Sequence, residues 1–329
     1  MKLLVYEYIT GGGLAGQAIP ASLAAEGRMM LMALLNELQD MPGLQLLLPL
    51  DQRSTGMPIS PQIQVFPIKH VDEMQNQLPD LINQADLVWP IAPESHGVLT
   101  AIARQVTHQQ KTLLLSAPET VDLCSDKLAT YQKLKQHALP VVETSTLAEH
   151  TEPPYTSSLI KLRDGEGCDG NQIVSTPDQW AIVLQNLDNA RDYIVQPLLE
   201  GQTLSLSGLF KHGQSWLLSC NQQHMNTKNQ QFQLAACSVN VHQGAHQGYQ
   251  KLLDRVATAF PGLWGYIGID LIETAEGPQI LEINPRLTTS YVGIRRATGV
   301  NVAEQVLALL QGKPSIQFTQ NQTVKLTIQ

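Results

Sequence analysis

Over its first 117 or so residues the chain alternates short apolar runs with stretches of helical periodicity, and this constrains its fold more than any other feature. Lys2 to Ile9, "LQLLLPL" ending at Asp51, "IQVFPI", "DLVWPIAP" and "KTLLLS" read as strands. Between them, Ser22 can cap a helix to about Gln39 in which Leu23, Met30, Leu34 and Leu38 share a face. Val71 to Gln84 and Gly97 to Thr107 read as two more helices. Strands separated by helices pair in parallel, so an open α/β domain is expected, with ligands at the C-terminal ends of its strands.

The pattern then changes to α+β. "SDKLATYQKLKQHALP" is a short helix begun by Ser125 or Asp126 and stopped before Pro140. "SSLIKLRD" and "NQIVS" read as strands around "GEGCDG", and "YIVQPLLEGQTLSLSGLFKHGQSWLLSCN" as a strand followed by an antiparallel hairpin. The polar stretch from Asn221 to Gln247 is expected to be a mobile loop over the active site or a plain surface loop. A helix from Tyr249 to Phe260, the strands "GYIGIDLIET" and "PQILEINP", a helix from Val302 to Gln311 and a final strand "TVKLTI" follow. A chain of 329 residues exceeds one comfortable core. We divide it at 1–117, 118–195 and 196–329.

Composition excludes several classes. A net charge of −8 and a pI near 5.6 argue against nucleic acid as a partner. Cys124, Cys168, Cys220 and Cys237 form no CxxC pair, which suits reduced thiols and a cytoplasmic protein. "MKLLVYEYITGGG" reads as a first strand and not a signal peptide, and no apolar run is long enough to cross a bilayer, so no membrane partner is expected.

Two segments could hold a nucleotide. Gly11, Gly13 and Gly16 match G-x-G-x-x-G after a strand, with Asp51 at the end of the next strand as a ribose acid. Against this, the first well-signalled helix starts only near residues 20–22, too late to present its N-terminus to a pyrophosphate. The second segment closes on "ILEINPRLTTSY", where strand alternation puts Glu282, Asn284 and Arg286 on one face and Leu281 and Ile283 on the other. Pro285 suggests an edge strand or a strand end.

In order along residues 126–286 come Asp126–Lys127, Lys161, "GEGCDG", "VQPLLEG", Asp270 and Glu282-x-Asn284-Pro285-Arg286. This series resembles the ATP-grasp superfamily over about Ser125 to Leu310. The resemblance implies an N-terminal pre-ATP-grasp domain followed by two α+β subdomains with ATP between them. Lys127 and Lys161 would supply point charges to phosphate oxygens. Gly165, Gly167 and Gly170 would form a lid whose amides approach the phosphates. Gln196, Pro197, Leu198 and Leu199 would surround the adenine, and Glu200 or Thr203 the ribose. Asp270, Glu282 and Asn284 would hold Mg2+, a hard cation that prefers oxygen ligands, with Mn2+ as a substitute. Arg286 and Lys161 are the expected catalytic residues.

"VYEYITGGG", "ASLAAEGRMM", "LPLDQR" and "IAPESHGVL" add a second resemblance, to the tyramine–glutamate ligase group of methanofuran biosynthesis. It implies a carboxylate–amine ligase that forms an amide through an acyl phosphate, with small-molecule substrates such as glutamate and an aromatic amine. A homodimer is also expected. Gly11 to Gly13, Arg28, Arg53, Glu94 and His96 are candidate substrate contacts, ordinary loop and cap roles being equally open. His242 and His246 have i, i+4 spacing, but the glycines between them favour a solvated loop over a metal site. Two rival readings are a nicotinamide-dependent oxidoreductase using the N-terminal glycines and a nucleotide sensor without turnover.

Overall fold

The structure, a computed structural model, describes every residue except Thr55, Cys168, Asp169, Asp188, Asn229 and Gln329, and describes the backbone alone at Gln243. Cys168 and Asp169, in the middle of the expected lid, thus lie outside the described residues.

The elements in chain order begin with β1 (Lys2–Glu7), α1 (Ala21–Leu38), β2 (Gln45–Asp51), β3 (Gln64–Ile68), α2 (Val71–Gln84), β4 (Leu87–Ile91), α3 (Val98–His108) and β5 (Thr112–Leu113). The strands form one parallel sheet in the order β3-β2-β1-β4-β5. Both faces of β1 are covered, which explains its unbroken apolar run. Leu3 and Val5 meet Leu31 and Leu34 of α1, while Leu4 and Tyr6 meet residues of α2 and α3 such as Ile82 and Leu99. The open α/β domain read from the alternation is present.

Next come α4 (Pro118–Ser125), α5 (Lys127–Gln136), β6 (Ser145–Thr146), β7 (Ser158–Leu162), β8 (Gln172–Val174), α6 (Pro177–Asn186) and β9 (Tyr193–Pro197). Four of these form a small antiparallel sheet, ordered β6-β9-β7-β8, that closes over Trp180 and Val183 of α6. The chain ends with β10 (Gln202–Lys211), β11 (Gln214–Lys228), β12 (Gln231–Val239), α7 (His246–Ala259), β13 (Trp264–Thr274), β14 (Gly277–Asn284), α8 (Tyr291–Thr298), α9 (Val302–Gln311) and β15 (Val324–Thr327). Here the six-stranded antiparallel sheet runs β14-β13-β10-β11-β12-β15. One face packs on α7 through Leu252, Leu253 and Val256, with Cys124 and Leu134 of α4 and α5 in the same core. On its other face Leu209, Leu218 and Val239 share a continuous core with α8, α9 and α1.

That shared core joins the two halves of the molecule, and a polar clasp fixes its register. Glu37 of α1 is buried, and its Oε2 accepts 2.8 Å bonds from Tyr291 Oη and from the backbone N–H of Ala303 at the start of α9. The same anion thus answers an orphan donor at a helix N-terminus.

Two expectations need correction. The polar stretch from Asn221 is not a loop: Asn221 to Lys228 finish β11, and Gln231–Val239 is β12. Of its described glutamines and asparagines only Gln223 lines the cavity; Asn226, Gln231 and Gln233 are exposed and alternate with the cavity-lining Met225, Phe232 and Leu234, as in a strand with one face to solvent. The second correction concerns Leu281. Asp270 faces Glu282 but Leu271 faces Ile280, so Leu281 is the extra residue of a β-bulge. Ile280 and Ile283 enter the core while Leu281 joins Glu282 on the cavity side. As Pro285 suggested, β14 is an edge strand that ends at Asn284.

Candidate active site

A cavity of about 390 Å³ lies where the three sheets meet, within the range of small-molecule sites. On its floor, Asp270 of β13 stands directly opposite Glu282 of β14. Asp270 accepts bonds from Gln223 Nε2 at 3.1 Å and Asn284 Nδ2 at 3.2 Å. Burial and the neighbouring Glu282 charge push the Asp270 carboxyl well above the usual carboxylate range. Burial opposes ionisation of Glu282 too, but the ammonium groups of Lys127 and Lys161 prevail and hold its pKa at about 2. Two carboxyls pressed together with one of them resisting ionisation is an arrangement that a divalent cation relieves, so the residues present fit Mg2+. Among the described residues no three His, Cys, Asp or Glu side chains converge as a metal site, so the amide oxygen of Asn284 would complete the protein's share.

Lys127 opens α5, whose N-cap is Asp126, not Ser125: its Oδ1 accepts from the backbone N–H groups of Leu128 and Ala129 at 3.0 and 3.2 Å. A cation at a helix N-terminus opposes the dipole. Glu282, 3.2 Å from Lys127 Nζ, offsets it, and the pairing aims the lysine into the cavity. Lys161 of β7 is buried and lines the same cavity.

The expected adenine segment, Gln196 to Leu199, also lines it, beside Leu159 of β7. Gln196 donates from Nε2 to Thr144 at 2.9 Å, while its buried Oε1 finds no partner among the described residues. An orphaned acceptor costs free energy unless a ligand donor meets it, and an exocyclic amino group on an aromatic base has the chemistry to do so. ATP therefore fits this end. Thr203 lines the cavity, whereas Glu200 sits with Glu143 and Glu276 on an adjoining open depression that shares Pro197 and Leu199 with it.

Of the lid glycines, Gly165 and Gly167 line the cavity and Gly170 does not. Gly167 and Gly170 have φ of 60° and 67°, a region that side chains other than glycine seldom occupy. The described residues of the loop are docked at several points. Lys127 Nζ donates to Gly165 O, Asp164 accepts a 2.9 Å bond from the His96 backbone N–H, and Glu166 lies 3.0 Å from Arg286. Arg286 Nε also donates to Glu94 Oε2 at 2.6 Å. Burial, together with the Glu94 charge and against the pull of Arg286, raises the Glu166 pKa to about 7.

The N-terminal glycines lie elsewhere. Two of their amides are consumed locally: Gly11 N donates to Glu7 O at 2.7 Å and Gly13 N to Tyr8 O at 2.8 Å. Asp51 is held by Arg53, whose NH1 and NH2 also bind Gln17 O and Leu14 O at 2.6 and 2.8 Å. This arrangement locks a loop and offers no ribose acid, which removes the support for a nicotinamide site. Arg28 is exposed and outside the cavity, as is His96. Glu94 reaches the site through Arg286, not through the cavity wall. His242 bonds Gln202 at 2.8 Å and lies outside α7, where His246 is the first residue, so the two histidines do not share a helix face.

The model of the ATP-grasp domain matches residues 124–290, and that of the pre ATP-grasp 3 domain matches residues 44–121. The chain belongs to the ATP-grasp family. Tyramine–L-glutamate ligase from Methanocaldococcus jannaschii is 24% identical over 310 residues, covering 93% of this chain and 88% of that protein. A crystal structure of an ATP-grasp superfamily protein from Archaeoglobus fulgidus has a TM-score of 0.73 at 22% identity, over 99% of this chain and 92% of that one. The biotin carboxylase domain of 2-oxoglutarate carboxylase from Hydrogenobacter thermophilus, solved with MgADP, has a TM-score of 0.74 at 16% identity, over 97% and 71%. By family and relatives this ATP-grasp chain is an ATP-dependent ligase.

Around this cavity, sequence reasoning missed the wall supplied by β11 and β12, including Gln223, Met225, Phe232 and Leu234, because that stretch reads as a loop. It also passed over Glu166 and Glu26. Glu26 had a signal, since Leu23, Glu26, Gly27 and Met30 follow helical i, i+3, i+4, i+7 spacing and all line the cavity.

Proposed function

We propose that this chain joins the carboxylate of glutamate to an aromatic amine, using ATP and Mg2+. The observation that carries the reading is the Asp270–Glu282 pair faced by Lys127 and Lys161, with Arg286 two residues beyond Asn284. ATP would supply the phosphoryl group that converts a carboxylate into an acyl phosphate, and Mg2+, or Mn2+ by the same oxygen chemistry, would offset its charge. Asp270, Glu282 and Asn284 would hold the metal. Lys127 and Lys161 would neutralise phosphate charge, and Gln196 to Leu199 would seat the base. Arg286, fixed by Glu94, would stabilise the charge that builds on the transferred group, an electrostatic contribution of the kind that dominates phosphoryl transfer. Among the described residues Cys124, Cys220 and Cys237 are buried free thiols, which suit a reducing compartment such as the cytoplasm. Among the described residues no helix is long and apolar enough to cross a membrane.

The decisive experiment incubates the protein with Mg-ATP and a panel of acids and amines, and reads ADP release and product mass. An amide of glutamate with tyramine or a close analogue is expected. ADP release that no acid stimulates would overturn the reading.

A further inference from the structure

Five carboxylates line the cavity: Glu7, Glu26, Glu166, Asp270 and Glu282. Four have fixed duties. Glu7 accepts from Ile9 N at 3.2 Å and from Thr10 N and Oγ1 at 2.6 Å each, holding the N-terminal loop. Glu166 meets Arg286, Glu282 meets Lys127, and Asp270 accepts from Gln223 and Asn284. Glu26 is different. Its one hydrogen bond is a 3.3 Å contact from Thr289 Oγ1, and no cation pairs with it among the described residues.

The surroundings of Glu26 are equally particular. Leu23 and Met30 flank it on the same face of α1, with Ile9 and Pro93 also on the cavity wall. Gly27 continues that face without bulk, because a Cβ there would stand 2.9 Å from both Glu7 carboxylate oxygens. Burial pushes the Glu26 pKa up, and the Arg286 charge acts against that push, so Glu26 lies within the field of Arg286. Its position relative to the phosphate wall is rigid, since Glu37 on the same helix clasps Tyr291 and Ala303.

We propose that Glu26 is the amine-binding residue. In this subsite a cationic amine places its ammonium group on the Glu26 carboxylate and its apolar body against Leu23, Met30 and Ile9. The inference rests on the ligase reading above and adds where the nitrogen donor sits and which group prepares it. An ammonium ion has no lone pair for attack. Glu26 takes one N–H proton, leaving a neutral amine. The C–N bond then forms as the acyl C–O bond to phosphate breaks, phosphate leaves with that electron pair, and the amine's second proton ends on phosphate. Thr289 orients the carboxylate. A charge-assisted contact of this kind accounts for about tenfold or more in affinity.

The test compares wild-type protein with Glu26→Gln and Glu26→Asp, using tyramine and tyrosol, its neutral analogue with a hydroxyl in place of the ammonium. Glu26→Gln should raise KM for tyramine about tenfold or more while KM for Mg-ATP stays within about twofold. Its activity should also recover towards alkaline pH, where tyramine deprotonates in solution, and Glu26→Asp should fall between the two. Wild-type protein should bind tyramine about tenfold or more tightly than tyrosol, and Glu26→Gln should bind the two alike. An unchanged tyramine KM and pH profile in Glu26→Gln overturns the proposal. Equal binding of tyramine and tyrosol by wild-type protein does so even if the variants fail to fold. The ligase reading has its own check in the wild-type chain, where hydroxylamine, already neutral at pH 7, traps an acyl phosphate as a hydroxamate. Hydroxamate formation with a normal Glu26→Gln therefore sinks the subsite alone, and its absence with every acid sinks both.

Discussion

The guanidinium of Arg286, at the end of the strand that carries Glu282 and Asn284, is 3.0 Å from the carboxylate of Glu166 in the loop between β7 and β8. A carboxyl side chain from the lid thus sits on the cation proposed to receive phosphate, so the docked loop and a bound phosphoryl group compete for one arginine. Replacing Glu166 by Ala should lower KM for ATP, because opening the site no longer requires breaking this pair. A KM for ATP that rises in Glu166→Ala would show that Glu166 assists binding instead.

Protonation should set how firmly the loop docks. Burial and Glu94 raise the Glu166 pKa to about 7 from an ordinary 4.5. The docked form therefore keeps a proton that an open loop has lost, and docking is favoured at low pH. Between those two values each unit of rising pH weakens docking by up to about tenfold, and above about pH 7 the effect levels off. Amide protection across residues 164–167, corrected for intrinsic exchange, should fall from pH 5 to pH 8. Glu166→Gln should flatten the profile at the protected end, and a flat wild-type profile would refute the coupling.

The metal wall predicts opposite effects on activity and stability. Glu282→Gln should lower turnover by at least about a hundredfold and weaken apparent Mg2+ affinity, with the fold intact. Asp270→Asn should also abolish turnover, yet it removes a carboxyl that burial and Glu282 drive well above its usual range. An acid with a raised folded pKa loses stability as pH rises past its unfolded value, so in EDTA at pH 7 Asp270→Asn should melt at a higher temperature than wild type. A lower Tm there would mean that the pair is stabilising without metal.

Much of this was legible because local rules and tertiary demands agreed. Val302–Gln311 is helical over the very residues its periodicity marks, with Asn301 capping it by a 3.0 Å bond from Glu304 N. Glu282, Asn284 and Arg286 do share a cavity face. Leu281 broke the alternation because a bulge adds a residue that strand periodicity cannot register. The strands through Asn221–Lys228 and Gln231–Val239 are hidden in the sequence because their exposed Asn226, Gln231 and Gln233 outweigh the few residues, Met225, Phe232 and Leu234, that face the cavity. Helix α6 carried a readable start, Thr176 accepting from Gln179 N at 3.3 Å with Pro177 next, but it was passed over. Glu166 was invisible for another reason: its partners, Glu94 and Arg286, lie 72 and 120 positions away in the chain, and only the fold brings them together.

The clasp at Glu37 provides a test of how the two halves hold together. Its carboxylate accepts from Tyr291 Oη and Ala303 N, both at 2.8 Å, and all three groups are buried. Glu37→Ala leaves a phenol and a helix-terminal amide without a partner inside the core shared by α1, α8 and α9, which should cost about 2–4 kcal/mol. Glu37→Gln keeps one acceptor oxygen and should recover part of that loss. Burial raises the Glu37 pKa against the pull of those two bonds and of Arg295, so Gln also sheds a desolvation penalty that grows as pH rises past the ordinary carboxylate value. The deficits of Gln and Ala relative to wild type should therefore both shrink between pH 5 and pH 8, with that of Ala remaining the larger. Urea unfolding midpoints of the three proteins at the two pH values measure this directly. Equal stability of Glu37→Ala and wild type would show that the apolar core alone, and not the clasp, sets how α1 lies against α8 and α9.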